Sequence, residues 1–265
     1  MLYDFYKNRL KNRVFRAMFI ALMNIIVIFL VSAWTLAGIL LFPLGLPLMR
    51  FLWGYSSKTV ARKCIWIYGR VWQFLLKPFV DFKNPDIDKA FFSVPGVIVT
   101  NHRSFFDTYC MNMMPVSDVC FAVRGWPFKI PIYNIFMKLA GYLNIESFSW
   151  QKTARNAKVV LDNEGFILFF PEGHRSRNKD LLHFYSGAFK LAIANNAPII
   201  PICLVGTQDL MPPGRRFLKP ARITMKVLEP VFPDQFSGKM GYVALKKHVR
   251  SLMSAHLSGM DEPGI

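Results

Sequence analysis

The chain has 265 residues, 53% of them hydrophobic, and carries 33 Lys and Arg against 16 Asp and Glu, a formal charge of +17. That excess suits two classes of partner, nucleic acid and anionic lipid, and there is no internal repeat, low-complexity tract or nucleic-acid-binding signature. Its four cysteines (Cys64, Cys110, Cys120, Cys203) make no Cys-x-x-Cys pair and no His/Cys cluster of zinc-finger spacing, which excludes that kind of metal site and fits reduced thiols in the cytosol.

From Ala17 to Met49 no charged residue occurs. A straight helix of that length measures about 50 Å, longer than the ~30 Å hydrocarbon core of a bilayer. A secretory signal has an apolar core of only about 7–15 residues, so this segment reads as a retained membrane element. Pro43-Leu44-Gly45-Leu46-Pro47 is expected to break the helix. Both flanks are basic: Lys7, Arg9, Lys11, Arg13 and Arg16 before, Arg50, Lys58, Arg62, Lys63 and Arg70 after. By the positive-inside rule neither end is external, which favours a helix pair that dips into the cytoplasmic leaflet and returns. A single tilted span stays open. Trp53, Trp66 and Trp72 are expected as an interfacial belt. The segment from Tyr55 to Phe82 either lies against headgroups or forms an amphipathic helix packed on the rest of the protein.

Asn84-Pro85-Asp86 is a turn, and the chain divides into an N-terminal membrane-associated region (1–80) and a catalytic domain (81–265). Beyond it apolar runs alternate with helical patterns. Strands are expected at 97–100, 119–123, 166–170, 199–205 and 223–227. Helices are expected at 105–114, 131–139, 152–163, 187–195 and 243–257. This rhythm predicts an α/β fold with a mixed, mostly parallel sheet flanked by helices.

Two strand-to-loop junctions carry chemistry. After Val97–Thr100 comes Asn101-His102-Arg103-Ser104-Phe105-Phe106-Asp107. Ser104 to Asp107 has the Ser-x-x-acid form of a helix start, which puts Asp107 in the first turn and His102 just ahead of it. A carboxylate there can fix one imidazole nitrogen and leave the other free to take a proton near neutral pH. The plain alternative is a helix cap beside an ordinary turn histidine. After Ile167–Phe170 comes Pro171-Glu172-Gly173-His174-Arg175-Ser176-Arg177. Arg175 and Arg177 present planar donor forks suited to phosphate or carboxylate; alone they would read as a solvated basic turn. Strand ends feeding loops are where α/β proteins assemble sites.

Together these segments resemble the glycerolipid acyltransferases. Asn101, His102 and Asp107 match the family's Asn-His-x4-Asp. Phe170, Pro171, Glu172, Gly173, Arg175 and Ser176 match its Phe-Pro-Glu-Gly-Thr-Arg-Ser, with His174 in place of threonine. Arg124 through Gly141, with Ile130-Pro131 and Ala140-Gly141, looks like the second motif, and Ala197-Pro198-Ile199-Ile200-Pro201-Ile202 like the fourth. The second motif usually ends in a basic residue, where this chain reads Ile145-Glu146-Ser147.

The resemblance implies the glycerolipid acyltransferase fold and direct acyl transfer to a lysophospholipid. His102 would be the general base and Asp107 its partner. Arg124, Glu172, Gly173, Arg175 and Arg177 would bind substrate, with no metal or cofactor and acyl-CoA or acyl carrier protein as co-substrate. The expected partners are membrane lipids and a lysophospholipid acceptor, and the expected location is the cytoplasmic face of a bacterial inner membrane. Glu146 leaves the acceptor open between 1-acyl-sn-glycerol-3-phosphate and another lysolipid, such as a lyso-ornithine lipid. Ser104 reads as a cap and Cys110 as core, and no Gly-x-Ser-x-Gly elbow is present. A lipid-binding non-enzyme, or a thioesterase or phospholipase using the same base on water, are the competing classes.

Overall fold

The computed structural model describes residues 2–84, 87–177, 180–211, 214–236 and 238–261. Within them, β1 (Val80–Lys83), β2 (Val97–Thr100), β3 (Val119–Val123), β4 (Leu143–Asn144), β5 (Phe166–Phe169), β6 (Ile199–Val205) and β7 (Ala221–Val227) form one sheet. Its order is β1-β7-β6-β2-β5-β3-β4. Only β6 and β7 pair antiparallel, so the sheet is mixed and mostly parallel, as the sequence predicts. Around it lie α1 (Leu2–Asn8), α2 (Arg13–Trp53), α3 (Ser57–Leu76), α4 (Asp107–Cys110), α5 (Pro131–Leu139), α6 (Trp150–Asp162), α7 (Gly187–Asn195), α8 (Thr207–Leu210) and α9 (Gly241–Asp261).

β2, β5 and β6 are buried at every residue, which is why they read as unbroken apolar runs. Strand alternation splits the core into two layers. Ile98, Leu168, Ile200 and Leu204 face one side, with Met23, Val27, Trp72 and Leu76 from α2 and α3. Val97, Val99, Ile167 and Phe169 face the other, with Ala157, Phe189, Leu191 and Val249 from α6, α7 and α9.

The N-terminal region departs from expectation first at its prolines. α2 is a single helix of 41 residues with Pro43 and Pro47 inside it, so the expected break is absent. The prolines withdraw the N–H groups that would bond the Ile39 and Pro43 carbonyls. The helical bonds on both sides persist, and prolines are best tolerated in helices whose surroundings are as apolar as the bare face of this one. The chain reverses later, at Gly54, whose φ of +68° suits glycine. The return leg is α3.

Among the described residues α2 is the helix long and apolar enough to cross a membrane. Its outer face is bare: Ile25 is 67% exposed, Phe29 71%, Leu44 72% and Phe51 85%. Its inner face is docked. Met23, Asn24 and Val27 are buried, and the Asn24 amide donates to the Leu218 carbonyl (2.9 Å) and accepts from the Leu218 N–H (2.8 Å).

Of the two readings for 55–82, the amphipathic helix packed on the domain is correct. α3 buries Val60, Ala61, Arg62, Trp72 and Leu76. Trp72 does not join an interfacial belt; its ring stacks on Phe106 (5.1 Å) and Tyr109 (4.9 Å), directly behind α4. Arg62 leaves the basic flank and is buried against Asp118. The expected helix at 105–114 is shorter, α4 followed by a 3-10 turn at Met111–Met113. β1, β4 and α1 were not foreseen. Pro85 and Asp86 of the expected boundary lie outside the described residues, and β1 begins at Val80.

Candidate active site

β2, β5, β3 and β4 are successive parallel neighbours, so their C-terminal ends lie along one edge of the sheet. Four loops leave that edge. They carry His102 after β2, Glu172 and Arg175 after β5, Arg124 after β3 and Glu146 after β4. Such an edge is where open parallel sheets gather their ligands.

Asn101 fixes the first loop. Its buried amide donates to the Leu204 carbonyl and accepts from the Leu204 N–H, both at 2.8 Å, so it continues the pairing with β6 for one residue past β2. His102 follows, and its Nδ1 lies 2.7 Å from Asp107 Oδ2. A carboxylate only accepts, so Nδ1 carries the proton and the neutral ring keeps its lone pair on Nε2. The same Oδ2 accepts the backbone N–H groups of Arg103 (2.7 Å) and Ser104 (2.8 Å). The Ser104 bond is the acid half of the expected capping box. Asp107 is 1% exposed at its side chain and His102 19%, so the carboxylate is sealed while the imidazole reaches the surface. The Phe170 ring lies over the imidazole at 4.3 Å. Ser104 donates its hydroxyl to the Met211 carbonyl (2.8 Å), and burial pushes the Cys110 thiol well above its ordinary range. Ser104 also bonds within its turn and Cys110 lies in the core.

Glu172 binds the two motif turns together. It is 2% exposed, and its oxygens accept from the His102 N–H and the Leu182 N–H, both at 2.8 Å. Burial raises its carboxyl above the ordinary range, while those two N–H groups pull it back. The Ser176 N–H also donates to the His102 carbonyl (2.7 Å), so Arg175 and Arg177, both exposed, flank a residue bonded to His102. Gly173 sits at φ +68°, and a Cβ there would come within 2.8 Å of the Tyr185 ring. Glu172, expected among the substrate-binding residues, thus has both carboxylate oxygens on backbone N–H groups. Glu172→Gln keeps the shape but turns an NH2 toward one backbone N–H. The expected cost is about 1–3 kcal/mol of stability with slower turnover, read by thermal melts and initial rates. A variant matching the parent in both would show that this tie is dispensable.

Arg124 gathers the two departures from the family pattern. Its Nε donates to Glu146 Oε1 (2.6 Å), and its Nη1 lies 3.1 Å from His174 Nε2. The Gly125 N–H donates to Glu146 Oε2 (2.7 Å). The guanidinium and this N–H hold the Glu146 carboxyl below the usual carboxylate range. Sequence reading gave Glu146 and His174 as separate oddities; residues this far apart in the chain offer no local signal of contact.

This is a mostly parallel α/β domain with an oriented histidine and an arginine-bearing turn on one sheet edge, carried beside an apolar helix. Residues 82–205 match the family model described as Acyltransferase. The 1-acyl-sn-glycerol-3-phosphate acyltransferase of Escherichia coli is 38% identical over 171 residues, covering 63% of this chain and 69% of that protein. Another protein of that name from Limnanthes douglasii is 27% identical over 80% of this chain and 72% of its own. The chain spans only 43% of the length of a Chlamydomonas reinhardtii relative, at 32% identity over 53% of this chain. The crystal structure of the Thermotoga maritima 1-acyl-sn-glycerophosphate acyltransferase superposes with a TM-score of 0.74. At 22% identity over 94% of this chain and 99% of that one, the likeness shows the fold. The chain belongs to the acyltransferase family.

Proposed function

We propose that this protein transfers a fatty acyl group from acyl-CoA or acyl carrier protein to the free hydroxyl of a lysophospholipid, by default 1-acyl-sn-glycerol-3-phosphate, giving phosphatidic acid. The observation that carries this reading is His102, held by a sealed carboxylate and tied by Glu172 and Ser176 to an arginine-bearing turn. The names of the relatives support the default acceptor.

In this reading Nε2 of His102 takes the proton of the acceptor hydroxyl as its oxygen attacks the thioester carbonyl. Asp107 stabilises the imidazolium that forms. Collapse breaks the C–S bond, and the imidazolium returns the proton to the departing thiolate. Arg175, Arg177 and Arg124 bind the acceptor phosphate. Deprotonation needs no metal or cofactor here.

Membrane attachment follows from α2. Its inner face is fixed to the domain at Asn24 and Leu218 while its outer face is apolar, so lipid on one side and protein on the other satisfy both. The basic residues at both flanks support a reading in which the domain lies on the cytoplasmic leaflet of a bacterial inner membrane.

The test is a mass-spectrometric product screen. Purified protein in liposomes receives acyl-CoA or acyl carrier protein and a panel of lysolipids, with His102→Ala as blank. Phosphatidic acid formed only by the parent supports the reading; free fatty acid alone would mean hydrolysis. Arg175→Ala is expected to raise KM for a phosphate-bearing acceptor roughly ten- to hundredfold, as loss of a charge-assisted hydrogen bond worth about 1.5–3 kcal/mol predicts. An unchanged KM would remove Arg175 from the phosphate role.

A further inference from the structure

We propose that Glu146 is a specificity-determining residue that biases the acceptor site toward headgroups carrying an amine beside the phosphate. The inference rests on the acyl-transfer reading above.

Four features show that Glu146 is positioned rather than incidental. The buried Asn144 side chain accepts from the Glu146 N–H (3.2 Å) and the Ser147 N–H (3.0 Å), an Asx turn that sets the direction of residue 146. The Gly125 N–H then donates to one carboxylate oxygen. A Cβ at Gly125 would come within 2.9 Å of that oxygen, so the bare backbone is what admits the carboxylate. The other oxygen takes Arg124 Nε. Finally, His174 lies against the Nη1 of the same guanidinium, so the β5 turn that bears Arg175 closes on the pair.

The consequence is electrostatic. Arg124 faces the loop edge with its charge already matched by a fixed anion. A phosphomonoester with up to two charges must either displace Glu146 from Arg124 or sit beside a carboxylate, and like-charge juxtaposition is how sites reject a ligand. An ammonium next to the phosphate removes that penalty: the phosphate takes the arginines and the ammonium takes Glu146.

The experiment is a competition in liposomes. Equimolar lysophosphatidic acid and lysophosphatidylethanolamine of one acyl chain are offered with acyl-CoA, and the ratio of the two diacylated products is read by mass spectrometry. Glu146→Gln is expected to shift that ratio toward phosphatidic acid on the order of tenfold. Glu146→Asp, which keeps the charge, is expected to shift it less. An unchanged ratio in Glu146→Gln overturns the proposal. So does a selective loss of lysophosphatidic acid use, which would mean that Glu146 only props Arg124 for the phosphate. Absence of any diacylated product from the parent protein would instead overturn the acyl-transfer reading itself, and this proposal with it.

Discussion

His102→Ala is expected to lower acyl transfer on the order of 10²–10⁴-fold, the loss typical of removing a positioned general base. The effect should be confined to chemistry. Asp107 would keep two of the three donors on its Oδ2, the N–H groups of Arg103 and Ser104, so the turn stays formed without the imidazole. The bare apolar face of α2 is another part of the molecule, so flotation with liposomes is expected to be unchanged. Asp107→Asn separates orientation from charge. All three donors converge on one oxygen, so the amide oxygen can hold that place and keep His102 in its tautomer. The amide NH2 then lands at the Oδ1 position, which is buried and without a hydrogen-bond partner among the described residues. This variant should therefore lose both imidazolium stabilisation and some stability, and should slow transfer without reaching the deficit of His102→Ala. Rates of diacylated lipid formation decide the matter. Parent-like turnover by His102→Ala would end the general-base assignment.

The reach of the sequence is clearest at its buried strands. β2, β5 and β6 begin and end close to where their apolar runs do, because strands buried on both faces are built almost wholly of apolar residues, with Thr100 closing β2. The His102–Asp107 pair was legible for a local reason, since both residues sit on one strand-to-helix turn. β4 was not, because Leu143 and Asn144 are a strand only through pairing with Ala122 and Val123. The role of Glu172 was hidden in the same way. Its bond to the His102 N–H exists only when β2 and β5 come side by side. The helix through Pro43 and Pro47 failed the sequence rule because that rule is calibrated on helices that water can open.

Arg62 marks the same limit and leads to the second large effect. As sequence it is one more cation beside an apolar segment. In the fold it is 4% exposed and paired with Asp118, while its Nη1 donates to the Ala140 carbonyl (3.0 Å) and its Nη2 to the Thr59 hydroxyl (3.2 Å). One side chain thus joins α3 to the start of β3 and the end of α5. Arg62→Ala leaves the Asp118 carboxylate buried without a counter-charge, which costs about 3–5 kcal/mol. In a domain of this size that lowers Tm by roughly 6–20 °C. The loss should come mostly from the stranded charge, so adding Asp118→Asn to Arg62→Met should recover much of it. An Arg62→Ala protein that melts with the parent would refute the seam. Function offers a sharper reading below the melt. α3 is what α2 packs against along its second half, through contacts such as Trp34 on Tyr68, and α4 with Asp107 rests on Trp72 of the same helix. Global unfolding would depress turnover on detergent-dispersed and liposomal acceptor alike. A loosened α3 in a folded domain would depress the liposomal rate more, because there the helix pair must hold the domain against the bilayer.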